Sequence, residues 1–450
     1  MIKRKKKNKQ DNPFYDPTLK SRHASSNRFK KFTLTSLIFS IAFLAFFLFD
    51  IVSKGVPAFH VAYIKMDVQF SEKTIEDSRF AVDKKYRDLV SRAWLRDLPN
   101  LVKQHPEYMN TTQNILVLAD DQVDQYIKGH NHKLNEKDIQ MVEELHAQGL
   151  IEKKFNTIFF TNGDSKIPEY AGLYSGIIGS ILTLVITMAI SFPIGVMTAI
   201  YLEEFAGDNK FTRFIEVNIN NLAAIPAILF GLLGLAIFIN LFGMPRSSPL
   251  VGGLTLALMT LPIIIVSSRA ALRAVPDNIR QAGYGLGLNK IQVTRDHVLP
   301  LAFPGILTGS ILGLAHAMGE TAPLIIIGMI AFIPDAPSMV TQAATVMPAQ
   351  LFTWAGMPEG MYIEKTAAGI IVLLTILISL NAIAIYLRKK FEIKGKTPTT
   401  EEREARLEKE KAHAAHYIDT GKAALINAGR RSSEENARIV TGKQIGRAHV

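Results

Sequence analysis

The chain has 450 residues, of which 48% are hydrophobic and only 20% are charged. Soluble proteins carry nearer a quarter charged residues, and so large an apolar fraction excludes a mainly disordered chain. The absence of cysteine excludes disulfide scaffolds, thiolate nucleophiles and cysteine-based metal sites. The net charge is +11, from 51 basic and 40 acidic side chains, and the positions of these charges say more than their sum.

Six apolar runs are each long enough to cross a hydrocarbon layer of ~30 Å, which takes roughly 20 residues. They are Phe32–Val52, Gly172–Leu202, Leu222–Phe242, Pro249–Ser268, Leu301–Ile333 and Ala367–Leu387. Buried helices of a large soluble protein are the alternative, but such helices rarely stay uncharged over this length. The pattern therefore predicts an all-α polytopic membrane protein with six transmembrane helices, embedded in lipid.

The basic residues indicate the orientation of these spans. Residues 1–31 hold eleven basic and two acidic side chains, and the loop 269–300 holds five and two. Residues 53–170 instead hold sixteen basic and eighteen acidic ones. We therefore expect both termini in the cytoplasm. The positive charge then anchors the chain and requires no nucleic-acid partner.

Residues 32–52 are predicted to be an uncleaved signal anchor, because a long basic leader precedes them and no small-x-small cleavage site follows. The exported segment 53–170 reads as a small α+β domain. Its predicted elements are a helix over Thr74–Leu98, a strand at Ile115–Ala119, a helix through Met141–Leu145 capped by Asn135, and a strand at Phe155–Phe160.

The histidines of this segment show no ligand partners at helical spacing, so a docking or covering role is favoured over a metal site; they are His105, His130, His132 and His146. Residues 391–450 read as a charged cytoplasmic tail, helical over Lys396–Ala415. The final residues Ile445–Val450 match the translation of a common sequencing adapter, so we expect the end of the chain to be artefactual.

The loop Arg269–Pro300 is predicted to form two short helices separated by a glycine corner. Pro276-Asp277 can open the first helix, and glycines 283, 285 and 287 end it. Asn289 can cap the second, with Gln292 completing a capping box. Such a loop is suited to insertion into a groove of a partner, although an ordinary connection between spans is the alternative.

The same loop resembles the EAA loop of ABC-importer permeases. That pattern reads EAA, three residues, Gly, nine residues and Ile-x-Leu-Pro. The positions here that carry it are Gln281, Ala282, Gly283, Gly287, Leu299 and Pro300. Gln281 stands in place of Glu, Gly283 in place of Ala, and His297 in place of Ile. The resemblance implies that this loop couples the chain to an ATPase.

Four further segments resemble the PstA type of phosphate-importer permease, over roughly residues 172–390. They are ALRAVP (271–276), AIPAILFGLLGL (224–235), SPLVGGLTLALMTLP (248–262) and LPLAFPGILTGSILGLAHAMGETAPL (299–324). The resemblance implies a type I ABC-importer permease core at 171–390, and the long exported insert resembles an extension found in part of this family. A permease for another oxyanion, or a membrane-anchored sensor or scaffold, remains as an alternative.

The resemblance also implies a location in the bacterial cytoplasmic (inner) membrane and a set of partners. They are a second permease chain of the PstC type, two cytosolic ATPase subunits and a periplasmic phosphate-binding protein. The sequence contains no G-x-x-x-x-G-K-[ST] motif, so we expect a transport subunit that is not an enzyme and binds no cofactor, with ATP held by the partner.

Two sets of residues inside the spans suggest function. Gly305, Gly309 and Gly313 recur every fourth residue, a spacing that allows close helix packing, either within the chain or against a partner. Glu320 is an intramembrane carboxylate, and such groups are usually paired or functional. With His316 and Thr321, we expect it to line or gate the translocation pathway, with a structural ion pair as the alternative.

Overall fold

The computed structural model describes residues 18–330 and 332–393. Its α-helices are α1 (Leu19–Gly55), α2 (Glu72–Glu76), α3 (Arg92–Arg96), α4 (Leu98–Gln104), α5 (Asp121–Lys128), α6 (Glu136–Ala147), α7 (Ile158–Thr161), α8 (Tyr174–Ile200), α9 (Lys210–Ala223), α10 (Ala227–Gly234), α11 (Pro249–Arg273), α12 (Asp277–Gly285), α13 (Lys290–Val293), α14 (Leu299–Gly319), α15 (Ala322–Ile326), α16 (Met347–Ala355) and α17 (Gly360–Ile393). Its strands are β1 (His60–Gln69), β2 (Thr112–Leu118) and β3 (Ile151–Phe155). The predicted tail helix Lys396–Ala415 lies outside the described residues.

Five of these helices are long and apolar enough to cross a membrane: α1, α8, α11, α14 and α17. A sixth span exists if α9 and α10 count as one, but they meet at an angle of 104°. The multi-pass helical prediction is confirmed. The expectation of one straight helix over Leu222–Phe242 is wrong, because the chain breaks before Pro226, which supplies no backbone N–H to continue the helix.

Helix α11 is the centre of the membrane part. Its most apolar window is 61% buried, whereas the corresponding windows of α1 and α17 are not buried at all. Glycines permit the close approach of α8: a methyl group at Gly253 would lie 2.6 Å from Ile186, and one at Gly195 would lie 2.8 Å from Ile264. Lipid tails are as apolar as the helices, so the hydrophobic effect does not drive membrane helices together. Close contact at small residues is the basis of packing here instead.

Residues 53–170, the segment expected to be exported, contain one antiparallel sheet in the order β2-β1-β3. The central strand β1 was not predicted, although Ile64, Met66 and Val68 alternate with polar residues and are all buried. The predicted helix through Met141–Leu145 is confirmed as α6, with the Asn135 side chain accepting from the Asp138 amide. The strand predicted at Ile115–Ala119 lies within β2 except for its last residue.

Two predictions for this part are wrong. The segment Thr74–Leu98 is not one helix: α2 ends at Glu76, and the Asp77 side chain accepts from the Arg79 amide to start a short 3₁₀ turn. Aspartate side chains compete with helical hydrogen bonds in this way. Phe155–Phe160 is not a strand, because Asn156 accepts from the Phe159 amide and starts α7.

Candidate functional site

The loop between α11 and α14 has the predicted helix–glycine–helix form. Helix α12 ends at Gly285, and Gly287 follows with a φ of +82°, a conformation that glycine adopts without strain. Helix α13 begins with the predicted capping box between Asn289 and Gln292. A methyl group at Gly283 would lie 2.8 Å from Val293, so the glycine lets the two short helices pack together.

The loop exposes apolar side chains on its outer surface. Leu286 is 79% exposed, Ile291 63% and Tyr284 44%. Gln281 and Ala282 are exposed on α12 and Pro300 at the start of α14, while Leu299 is half-buried. The structure therefore brings most of the predicted coupling residues together around one protruding corner.

A buried ion pair that the sequence did not reveal holds α12 in place. Arg280 donates to Glu204 at 2.7 Å, and the two side chains are only 16% and 4% exposed. The same guanidinium donates to the carbonyl oxygens of Leu272 at 3.0 Å and Val275 at 2.8 Å. It thereby adds side-chain hydrogen bonds where α11 ends, and joins this end to α12 and to the turn Tyr201–Phe205 that follows α8.

A second set of ion pairs lies beside the first. Arg269 contacts both Glu203 and Glu216, and Arg273 donates to Glu203 at 2.7 Å. These bonds connect the end of α11 with α9 and with the π-helical turn Tyr201–Phe205 that follows α8. The sequence signal that could have revealed these ion pairs is Glu203-Glu204, which directly follows an apolar run. Unpaired charges are unexpected at such a position.

The three glycines of α14 face α11 of the same chain. A methyl group at Gly309 would lie 2.0 Å from the Ser267 hydroxyl, and one at Gly305 would lie 2.7 Å from Ala271. Gly313 faces Ile264 at an ordinary contact distance of 3.5 Å. The close packing at the first two positions is thus intramolecular.

Helix α14 ends at Gly319, and Glu320 takes an extended conformation with a ψ of 125°. Thr321 follows as the N-cap position of α15. The His316 ring contacts the Glu320 carboxylate at 3.2 Å, and the two side chains are 51% and 21% exposed. An ionisable pair therefore lies where an apolar helix is interrupted, and interrupted membrane helices are tolerated where they line a cavity.

This pair lies on an open face of α14. The exposed residues of that face recur at helical spacing: Leu301, Leu312, His316 and Gly319. The opposite face is buried, with Ala302, Ile306 and Ala317 as examples. Any enclosed path past Glu320 therefore needs a wall that the described part of this chain does not supply.

The exported part is joined to α17 through buried charges. Lys365 is fully buried and donates to the carbonyl oxygens of Pro168 and Ala171, each at 2.6 Å. Glu364 accepts from Gln125 at 2.7 Å and from Lys128 at 3.0 Å. Buried charges require such partners, so residues 121–171 and the start of α17 form one continuous structure.

A further contact ties the loop before α8 to α16. The Trp354 indole donates to Asp164 at 2.8 Å, and burial raises the pKa of Asp164 to about 6. Among the four exported histidines, His130 contacts Glu364 at 2.5 Å. No cluster of three potential metal ligands occurs in residues 18–330 and 332–393.

Comparison with known proteins assigns the class. Residues 171–393 match the family of binding-protein-dependent transport system inner membrane components. Residues 16–87 and 77–136 match a domain of unknown function. The matches and the long apolar helices support a multi-pass inner-membrane protein with an additional domain before the permease-type region.

The similar proteins include phosphate transport permeases of the PstA type. The chain is 36% identical over 135 residues to the phosphate transport system permease protein PstA 1 of Mycobacterium tuberculosis strain H37Rv, covering 30% of this chain and 43% of that protein. It is 31% identical to PstA of Yersinia pestis over 203 residues, covering 44% and 66%. The chain thus spans less than half of the mycobacterial relative, and the resemblance to the PstA type is confirmed.

Solved structures were also compared with this chain. An inward-facing MetNI methionine ABC transporter is 14% identical with a TM-score of 0.38, covering 49% of this chain and 94% of that one.

Proposed function

We propose that this chain is a transmembrane permease subunit of an ABC importer that carries inorganic phosphate into the cytoplasm. The observation that carries the proposal is the protruding α12–α13 corner on a permease-family core. Apolar side chains are exposed at its tip, and buried ion pairs fix its base. A rigid arm of this kind can transmit movement of a docked ATPase to α8 and α11. The phosphate specificity is supported by the names of the PstA relatives.

The proposed translocation path passes Glu320, His316 and Thr321. Near neutral pH phosphate keeps a proton on one or two oxygens, whereas sulfate keeps none. The Glu320 carboxylate can accept that O–H as a charge-assisted hydrogen bond, which favours phosphate over sulfate. A charged His316 would offset the negative charge of Glu320, and the Thr321 hydroxyl can donate or accept.

The open face of α14 supports a second permease chain of the PstC type as the other wall of this path. Two cytosolic ATPase subunits would bind the α12–α13 corner and hold the ATP, so that this chain binds no cofactor and hydrolyses nothing itself. A periplasmic phosphate-binding protein would deliver phosphate on the exported side. Both termini lie in the cytoplasm in this arrangement, as the basic residues of 1–31 indicate.

The test compares two glycines of the corner in the complete transporter reconstituted in liposomes. Gly287→Val forces a β-branched residue into a φ of +82°, whereas Gly285→Val changes a nearby position where φ is not positive. We expect the first variant to lose ATPase co-purification and phosphate uptake while it inserts normally into the membrane. Normal uptake and co-purification in Gly287→Val would overturn the docking role.

A second comparison tests the path. Glu320→Gln should reduce phosphate uptake and narrow the preference over sulfate in competition, with basal ATP hydrolysis little changed. If Glu320 instead gates the path, Glu320→Gln should change the rate of ATP hydrolysis that is not coupled to phosphate transport. Wild-type uptake and selectivity in both Glu320→Gln and Glu320→Ala would reject a role of this carboxylate in transport.

A further inference from the structure

The exported domain contains an arginine-lined cavity of about 480 Å³. It lies where the predicted helix over Thr74–Leu98 is broken into short turns. Its lining residues are Asp77, Ser78, Arg79, Arg87, Asp88, Arg92, Leu95 and Arg96. This volume lies in the range of small-molecule sites.

The charges in this cavity are not balanced. Asp77 forms a two-pronged ion pair with Arg79, at 2.6 Å for the shortest contact. The guanidinium groups of Arg79 and Arg87 lower the pKa of Asp77 to about 2, so this carboxylate is already committed to the arginines beside it. Asp88 is the other carboxylate in the lining, whereas Arg87, Arg92 and Arg96 add three more guanidinium groups.

The remaining arginines have no acidic partner of their own. Among residues 18–330 and 332–393, no carboxylate lies within ion-pairing distance of Arg87, Arg92 or Arg96. The Nε atom of Arg87 is buried and has no hydrogen-bond partner there. Arg92 and Arg96 stand four residues apart on α3, where like charges destabilise a helix.

We propose that this cavity binds a small anion with two or more phosphate groups, such as pyrophosphate or a short polyphosphate. Guanidinium groups bind phosphate oxygens in a two-pronged manner, and arginines distributed around one cavity suit several phosphates better than one. The buried Leu95 lines the cavity with them, and the ionised Asp77 can accept a hydrogen bond from a phosphate O–H. The site is on the exported domain, is independent of the translocation path, and does not rest on the proposed transport function.

The test measures binding of pyrophosphate to the purified full-length chain in detergent by calorimetry. We expect Arg92→Gln and Arg96→Gln each to weaken binding about tenfold, the factor for one charge-assisted hydrogen bond. Orthophosphate should bind more weakly than pyrophosphate, and citrate more weakly still. The matched control is Lys137→Gln with Lys153→Gln, two exposed cations on the same domain that do not line the cavity.

The outcomes separate clearly. Both arginines are exposed, so the variants should unfold at the wild-type temperature without anion, which excludes misfolding. Equal pyrophosphate affinity in wild type and Arg92→Gln/Arg96→Gln would overturn the proposal. So would an equal loss in the lysine control, since that would reflect general charge attraction, and so would citrate binding as tight as pyrophosphate.

Discussion

Replacement of Arg280 by alanine tests whether the α12–α13 corner works as a rigid arm. The substitution removes hydrogen bonds to Glu204 and to the carbonyls of Leu272 and Val275. Glu204 would remain 4% exposed and unpaired. Breaking a buried pair from one side costs about 3–5 kcal/mol, and the residual exposure of Arg280 places this case near 3 kcal/mol. Such a loss shifts a local equilibrium by more than a hundredfold.

The assay is phosphate uptake per ATP hydrolysed by the complete complex in liposomes, together with the unfolding temperature of the purified chain. We expect both to fall in Arg280→Ala. The control is Arg295→Ala in the same loop, whose pair with Asp296 is exposed to solvent and therefore contributes little to stability. The double variant Arg280→Ala/Glu204→Gln should recover part of the stability, because no buried charge is left unpaired. Wild-type stability and coupling in Arg280→Ala would refute the rigid-arm reasoning.

Three further outcomes are expected. Gly309→Leu should prevent α14 from packing on α11 and lower membrane-inserted yield, whereas Leu312→Ala on the open face should not; equal yields would contradict intramolecular packing. Lys365→Ala should lower the unfolding temperature by removing about 3 kcal/mol of charge-assisted hydrogen bonds, while the exposed Lys153→Ala leaves it unchanged; no shift would show that the exported domain is not fastened to α17. Burial raises the pKa of Asp120 to about 7, so stability should fall as pH rises from about 4 to about 7; Asp120→Asn should flatten this slope in pH-dependent melting, and an unchanged slope would assign it to another group.

The Lys365 contacts change what we expect of residues 53–170 in the stability of the permease. From sequence, residues 53–170 read as a docking or covering domain. The structure buries Lys365 of α17 against the carbonyls of Pro168, Glu169 and Ala171, so removal of the domain would take away the first two and leave only Ala171 as a partner. A replacement of 53–170 by a short linker is thus expected to destabilise the permease itself.

Local chemistry was sufficient for several features. Long uncharged runs specify membrane helices because lipid removes every alternative for the backbone. The corner at Gly287 and the capping box at Asn289–Gln292 follow from residues within four positions of each other, and the structure contains both. The break after Gly319 could also be anticipated, since the apolar run from Leu301 was too long for one straight span.

Only the tertiary structure decided which charges meet. Arg280 and Glu204 are 76 residues apart, and Lys128 and Glu364 are 236 apart; no periodicity connects such positions. The predicted helix over Thr74–Leu98 failed for the same reason. Its apolar stripe was real, since Leu89 and Leu95 are buried, but the sheet buries those side chains from short turns, and Asp77 forms a turn where a helix would have continued. Sequence patterns determine which side chains must be buried, whereas packing across the fold determines which residues they are buried against.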